Sequence, residues 1–200
     1  MRYWLRGTDS NRRPSGYEPD ELPLLHPATQ NTSGRSRSGQ STSRSGATEG
    51  YDYSVSPTIE DALSIAIEAH RGQWYPAPEP EPFILHPLRV MLGVTSRTAQ
   101  IVALLHDVME DSPLTLHDLA DQGFDRSVLA AVDCLSRRPG ESYADYIERV
   151  ATDKVAREVK LSDLADNLAN NRALPATPDN LARIARYEDA LRILSPGPAS

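Results

Sequence analysis

The octapeptide LLHDVMED, at residues 104–111, is the densest cluster of ionisable side chains in this sequence. On a helix, His106 and Glu110 lie on one face, and Asp107 and Asp111 lie on the adjacent face. The rest of that helix is apolar, and charged groups at the edge of a core need partners or a metal ion. The octapeptide therefore predicts a metal site, although by itself it fits an exposed acidic helix end equally well.

Two further segments carry candidate ligands. The sequence ILHP, at residues 84–87, places His86 just before a predicted helix start, with Pro87 as the first helical residue. The sequence KLSDLADN, at residues 160–167, places Asp163 and Asn167 four residues apart on one helix face. Imidazole and carboxylate ligands together suit Mn, Fe or Zn and disfavour Ca.

The chain from residue 51 to residue 196 is predicted to be one all-helical domain. A helix start is expected at Ser56–Glu60, where a capping hydroxyl precedes Pro and an acidic residue. Further helices are predicted over residues 154–171 and 178–194, and after four capping side chains: Ser96, Thr115, Asp125 and Ser142. Alternating apolar residues that would indicate a strand are absent, and the Pro-rich residues 74–85 are predicted to be an extended loop.

Residues 1–50 are predicted to be a disordered tail, because residues 28–50 consist almost entirely of Ser, Thr, Gly, Arg and Gln. The tail is slightly basic, so a weak nucleic-acid or membrane arm stays open beside an idle, solvated segment. Residues 7–23 also resemble a translated antisense strand of a tRNA gene. We therefore expect that the start codon was assigned too far upstream and that the protein begins near residue 50.

Composition excludes several classes of protein. The formal charge of −7 argues against binding DNA or RNA through a basic surface. The single cysteine, Cys134, excludes an internal disulfide and fits a reducing compartment. Neither a signal peptide nor a membrane span is expected, so the sequence predicts a cytoplasmic protein whose oligomeric state it leaves open.

The three motifs, in this order, resemble the signature of the HD superfamily of phosphohydrolases. Within it the sequence is similar to the (p)ppGpp hydrolase domain of RelA/SpoT enzymes and to the small alarmone hydrolases. The resemblance covers roughly residues 57–175 and includes Ala69-His70-Arg71-Gly72-Gln73 and the stretch from Glu110 to Thr115.

The resemblance implies an HD-domain helical bundle with one divalent metal, expected to be Mn²⁺, with Fe or Zn as alternatives. It assigns the metal ligands to His86, His106, Asp107 and Asp163. It also implies that Glu110 and Asp111 orient and deprotonate the attacking water, and that Asn167 and Lys160 contact the substrate. His70 is expected to make a structural hydrogen bond.

The sequence departs from the family pattern on the nucleotide side. Tyr75 and Pro76 occupy the positions of an Arg-Lys pair, and Tyr75 is expected to stack on a base instead. Glu79 and Glu81 would repel a polyphosphate if they pointed inward, and Asp166 replaces a residue that is often His in the family. We expect the basic segment Arg137–Gly140 to be an exposed loop, with contact to a phosphate as the alternative, and the pair Tyr143 and Tyr146 to be core.

The resemblance implies hydrolysis of the 3′-pyrophosphate of (p)ppGpp. Two alternatives stay open at this point. One is the same metal chemistry on another nucleotide or phosphoester, and the other is a metal-binding sensor or interaction module without catalysis.

Overall fold

A computed structural model of the protein describes residues 56–195, so the predicted tail and the hypothesis about the start codon lie outside the described residues. Within this range the chain folds into nine helices and one short hairpin: α1 Ile59–Ala69, β1 Trp74–Tyr75, β2 Glu81–Pro82, α2 Leu85–Leu92, α3 Arg97–Leu105, α4 Val108–Asp111, α5 Leu116–Asp121, α6 Arg126–Leu135, α7 Tyr143–Thr152, α8 Lys154–Ala173 and α9 Pro178–Leu194. None of the helices between residues 56 and 195 combines the length and hydropathy needed to cross a bilayer. The predicted all-helical fold class is confirmed.

Side-chain capping fixes most helix starts. The predicted caps Ser96, Thr115, Asp125 and Ser142 each accept a backbone N–H from the first turn of the following helix. The start of α1 was predicted two residues too early. Thr58, not Ser56, is its N-cap, and it forms a reciprocal capping box with Asp61.

Two helices form the centre of the bundle. Helix α3 packs against α1, α2, α6 and α8, and its apolar residues from Ile101 to Leu105 are all buried. A helix that is apolar on all sides belongs inside a core. Helix α8 contacts α2, α3, α6, α7 and α9, so its polar residues meet side chains from most of the bundle.

The sequence analysis placed the octapeptide on one continuous helix, but the structure divides it between two helices. Helix α3 ends at Leu105, and α4 begins at Val108, with His106 and Asp107 between them. The His106 imidazole donates from Nδ1 to the Ala103 carbonyl at 2.7 Å, and the Asp107 carbonyl accepts the first backbone hydrogen bonds of α4. The side chain thus satisfies a carbonyl at the helix end, and the chain turns where the motif begins.

Two other expectations need correction. Residues 74–85 contain an antiparallel pair, with Trp74 opposite Pro82 and Tyr75 opposite Glu81. Strands of two residues are too short to give an alternating apolar pattern, so the sequence could not indicate them. His86 had been predicted just before a helix and Pro87 at its first position. Helix α2 begins earlier, at Leu85, so both residues lie within its first turn.

Helices α2 and α8 approach each other closely at Gly93. A Cβ atom added at Gly93 would lie 2.1 Å from Ser162 Oγ and 3.2 Å from Ser162 Cβ. The backbone of Gly93, with φ −82°, suits any residue, so packing rather than backbone strain requires glycine here.

We therefore predict that Gly93→Ala lowers the free energy of unfolding by about 1–3 kcal/mol, the usual cost of overpacking. Urea unfolding followed by circular dichroism measures the change. Ser162→Ala in the Gly93→Ala background should recover part of the loss. An unchanged stability of Gly93→Ala would contradict the close approach.

Candidate active site

Three buried side chains from different parts of the fold meet at one point. His86 comes from the first turn of α2, His106 from the junction of α3 and α4, and Asp163 from the middle of α8. Each is no more than 3% exposed, and one ligand atom from each lies within 4.8 Å of the others. This group could hold a metal ion.

Hydrogen bonds orient both imidazoles for metal binding. Nδ1 of His86 lies 2.7 Å from Asp166 Oδ2, and Nδ1 of His106 lies 2.7 Å from the Ala103 carbonyl. Because each acceptor takes an N–H from Nδ1, the Nε2 atoms are the ones left for a ligand.

The Nε2 atoms face carboxylate oxygens. Asp163 Oδ1 is 3.2 Å from His86 Nε2 and 3.8 Å from His106 Nε2. Asp107 Oδ2 is 3.6 Å from His86 Nε2 and 3.2 Å from His106 Nε2. His106 Nε2 is nonetheless buried without a hydrogen bond of acceptable geometry to any described residue. An orphaned imidazole nitrogen beside two carboxylates fits a divalent cation.

The electrostatics of the group favour positive charge between these side chains. Burial opposes ionisation of His106, yet Asp107 and Asp163 raise the pKa of its imidazole well above the usual value. Burial likewise opposes ionisation of Asp107, but His106 and then His86 lower the pKa of its carboxyl to about 2. Lys160 and the histidines hold the pKa of Asp163 well below its usual value despite burial. The carboxylates therefore stay ionised and can hold a cation.

The two predicted catalytic carboxylates lie one helical turn away, on α4. Burial, together with the negative charges of Asp107 and Glu110, raises the pKa of Asp111 to about 7. Glu110 Oε1 accepts the backbone N–H of Arg137 at 2.9 Å. His70 makes the kind of structural hydrogen bond expected of it, from Nδ1 to Gln73 Oε1 at 2.9 Å.

Two of the three predicted substrate residues, Lys160 and Asn167, bind Asp163, and the third, Tyr75, binds Asn167. Lys160 Nζ donates to Asp163 Oδ2 at 2.7 Å, and the amide of Asn167 donates to Asp163 Oδ1. The Tyr75 hydroxyl donates to Asn167 Oδ1 at 2.9 Å, while its buried ring stacks on His86 at a centroid distance of 4.9 Å. One face of Tyr75 is therefore occupied by a predicted metal ligand.

Glu79 and Glu81 do not line the pocket above these residues. Glu79 is exposed, and Glu81 pairs with Arg89 at 2.6 Å. These two carboxylates therefore do not repel a polyphosphate from the pocket wall.

A group of cationic side chains lines the same pocket as the histidines, and we call its three arginines, Arg137, Arg183 and Arg186, the cationic wall. Lys160, a predicted substrate residue, lines the pocket as well. The sequence analysis did not identify Arg183 or Arg186. The guanidinium groups of Arg137 and Arg186 both lie near the ring of Tyr143, at 5.8 and 5.6 Å.

Arg137 had been expected in an exposed loop and Tyr143 in the core, but both side chains line the pocket. Tyr146 is core as predicted, with its hydroxyl donating to the Leu135 carbonyl at 2.7 Å, and it also reaches the pocket. The spacing of Arg183 and Arg186 on α9 indicated one face, but only packing decides what that face meets.

We predict that Asp111→Asn stabilises the metal-free protein in a pH-dependent way. A carboxyl whose pKa rises from 3.8 to about 7 on folding favours the folded state only while it is protonated. Its ionisation therefore destabilises the fold increasingly from about pH 4 to pH 7, and the neutral amide avoids this cost. We expect a gain of about 1–4 kcal/mol at pH 8 and almost none at pH 4.

Urea unfolding of EDTA-treated protein at both pH values measures this difference. Asp121→Asn, which changes an exposed carboxylate on α5, is the control and should have little effect at either pH. An equal gain from Asp111→Asn at pH 4 and pH 8 would exclude charge repulsion as the cause.

Comparison with known proteins identifies the family. No family model matches the chain. The sequence is 34% identical over 162 residues to guanosine-3′,5′-bis(diphosphate) 3′-pyrophosphohydrolase of Vibrio cholerae, covering 72% of this chain and 22% of that protein. It is 32% identical over 151 residues to the bifunctional (p)ppGpp synthase/hydrolase SpoT of Escherichia coli, covering 69% of this chain and 21% of that protein. The chain thus spans about a fifth of the length of these relatives.

A shorter relative matches over most of its length. The chain is 30% identical over 147 residues to guanosine-3′,5′-bis(diphosphate) 3′-pyrophosphohydrolase MESH1 of Danio rerio, covering 67% of this chain and 80% of that protein. The solved structure of a metazoan ortholog of SpoT matches the fold with a TM-score of 0.60 and 23% identity, covering 68% of this chain and 84% of that one. The chain therefore belongs to the guanosine-3′,5′-bis(diphosphate) 3′-pyrophosphohydrolase family, to which MESH1 also belongs.

Proposed function

We propose that this protein is a metal-dependent phosphohydrolase that removes the 3′-pyrophosphate of (p)ppGpp. The observation that carries the proposal is the pocket itself. A buried His86–His106–Asp163 group, able to hold a metal, lines the same pocket as a cationic wall able to hold phosphate. The relatives from Vibrio cholerae and Danio rerio are named for the same reaction, which supports this substrate.

In this proposal His86, His106, Asp107 and Asp163 hold one divalent metal, with Mn²⁺ as the first candidate and Fe or Zn as alternatives. When bound, such a metal supplies Lewis acidity that lowers the pKa of a water ligand and neutralises phosphoryl charge. Lys160 offsets part of the negative charge of Asp163 and so lowers the repulsion of an incoming phosphate.

Glu110 and Asp111 are proposed to orient and deprotonate the attacking water. A general base works best when its pKa lies near the working pH. In the metal-free protein, burial and the charges of Asp107 and Glu110 raise the pKa of the Asp111 carboxyl to about 7, and a bound divalent cation would lower it toward the ionised form that a base needs. Glu110 is held by the backbone N–H of Arg137 and so keeps a fixed position relative to the cationic wall. The water oxygen forms a bond to the phosphorus next to the 3′ oxygen while the bond between that phosphorus and the 3′ oxygen breaks. The proton that the carboxylate takes from the water passes to the 3′ oxygen, which leaves as the 3′ hydroxyl of the nucleotide, and pyrophosphate is the other product.

Substrate binding is assigned to Asn167, Lys160 and Tyr75, with the cationic wall as the surface for phosphate. Arginine suits phosphate because its planar guanidinium donates two parallel hydrogen bonds. Arg186 is the strongest candidate on this wall, since its Nε is buried without a hydrogen-bond partner among the described residues. Tyr75 contributes through Asn167, whose side-chain oxygen it holds by a hydrogen bond.

A second candidate is the same reaction on another nucleotide or phosphoester. It is favoured by the burial of Tyr75, which is 4% exposed and stacked on His86, and which therefore offers little surface to a base. Pro76, its neighbour in the pocket wall, adds no charge. Recognition would then depend on the phosphates more than on guanine.

The first test is Mn²⁺-supplemented turnover of ppGpp by the full chain, assayed for released pyrophosphate. We expect robust release that Asp107→Ala abolishes together with metal binding, because Asp107 faces both histidines. Glu110→Gln should lower kcat by roughly 100- to 10,000-fold, the usual contribution of a general base, while sparing metal binding.

Full activity of Glu110→Gln would refute the role of Glu110 as a base and leave Asp111 as the only proposed one. Absence of pyrophosphate release by folded, metal-loaded protein would exclude (p)ppGpp and favour the second candidate. Failure on any phosphoester would leave the non-catalytic metal-binding module.

The cationic wall has its own test. We expect Arg186→Met to raise KM for ppGpp roughly 10- to 100-fold, the loss of one or two hydrogen bonds to a charged group. Steady-state kinetics measure the effect. Arg172→Met is the matched control, since Arg172 pairs with Glu188 outside the pocket at 2.8 Å. Equal KM values for both variants would show that the wall does not bind the substrate.

A further inference from the structure

The two histidines of the candidate metal site are held by different kinds of acceptor. His106 donates from Nδ1 to a backbone carbonyl, whereas His86 donates from Nδ1 to the carboxylate of Asp166 at 2.7 Å. Asp166 lies on α8, three residues after Asp163. One helix thus provides both a proposed ligand and the group that orients another proposed ligand.

Asp166 is itself held in place by an arginine. Arg89 donates from Nε to Asp166 Oδ1 and from Nη2 to Asp166 Oδ2, the latter at 3.2 Å. Arg89 lies on α2, three residues after His86, so two side chains of one helix grip the same carboxylate. With both oxygens engaged, Asp166 cannot rotate toward the metal group, and its orientation to His86 is fixed.

The hairpin supplies the last member of this chain of contacts. Glu81 of β2 pairs with Arg89 Nη1 at 2.6 Å. The side chain of Asp166 is 14% exposed and that of Arg89 is 38% exposed, so the carboxylate is mostly shielded from solvent while the guanidinium is partly exposed. The series Glu81–Arg89–Asp166–His86 therefore runs from the hairpin to the edge of the candidate metal site.

We propose that Asp166 is a positioning residue that sets the metal affinity of His86, and that Arg89 and Glu81 hold it in register. A carboxylate that accepts the Nδ1–H of a ligating imidazole fixes its tautomer and increases the electron density on Nε2. The inference rests on the metal centre of the proposed function, but not on the identity of the substrate.

Calorimetric titration of the EDTA-treated full chain with Mn²⁺ tests this inference. Asp166→Ala should weaken Mn²⁺ binding roughly 10- to 100-fold, the range typical of an outer hydrogen-bond partner. Arg89→Met should weaken it less, because the Nδ1–H acceptor remains. Glu188→Gln is the control, since it also removes one arginine-paired negative charge, away from any histidine, and it should leave affinity unchanged.

A nuclear magnetic resonance measurement separates positioning from a general loss of structure. In the Zn²⁺-saturated protein, the Nδ1–H protons of His86 and His106 should both be protected from exchange with water. Asp166→Ala should abolish the His86 signal and retain that of His106, which provides the internal control. Loss of both signals would indicate collapse of the site instead of the proposed role.

The outcomes distinguish the two proposals. Wild-type Mn²⁺ affinity in Asp166→Ala would overturn the role of Asp166, whatever the protein hydrolyses. Weakened affinity in a protein that does not cleave ppGpp would support the role of Asp166 while refuting the substrate. Failure of the wild-type chain to bind Mn²⁺ or Zn²⁺ would overturn both the metal centre and this inference.

Discussion

The site depends on the contacts that the buried carboxylate of Asp163 makes with its neighbours. This carboxylate is buried in the middle of α8, where an isolated negative charge would be very costly. Its oxygens are satisfied by Lys160 and Asn167 from the same helix, and one of them faces both histidines. A buried charge needs partners on every side. The packing of α8 against α2 and α3 brings the histidines to Asp163, so the same packing that satisfies this charge also assembles the candidate metal site.

The other residues of the candidate metal site lie where helices begin or end. His86 belongs to the first turn of α2, and His106 and Asp107 occupy the junction between α3 and α4. A side chain at a helix end can turn toward a neighbouring helix without disturbing the backbone hydrogen bonds of a long helix. The break after Leu105 therefore directs two polar groups out of an otherwise apolar segment, while Ile101–Leu105 remain in the core.

Both acidic and basic side chains line the pocket. The side near α4 carries the carboxylates of Asp107, Glu110 and Asp111, whose mutual repulsion contributes to the raised pKa of Asp111. The same pocket is lined by Arg137 from the loop after α6, whose backbone N–H binds Glu110 at 2.9 Å, and by Arg183 and Arg186 from α9. Anionic and cationic side chains therefore share one pocket, although the formal charge of the whole chain is −7.

The sequence by itself determined the local features, because they depend on residues close in the chain. Capping hydroxyls and carboxylates fixed the starts of α3, α5, α6 and α7. The resemblance of three motifs to the HD superfamily implied four metal ligands, and three of them, His86, His106 and Asp163, meet as a possible metal group. These motifs carry their information in the order and type of a few side chains, so no tertiary structure was needed to find them.

Only the tertiary structure decided which distant residues meet. Arg183 and Arg186 face the pocket because α9 packs on α7 and α8, and nothing local to α9 indicates that orientation. The pairing of Asp166 with His86 joins residues 80 positions apart. The hairpin from Trp74 to Pro82 and the break at His106 follow from long-range packing and from one side-chain hydrogen bond. Local propensity is weak at such places, since contacts made by the folded chain outweigh it.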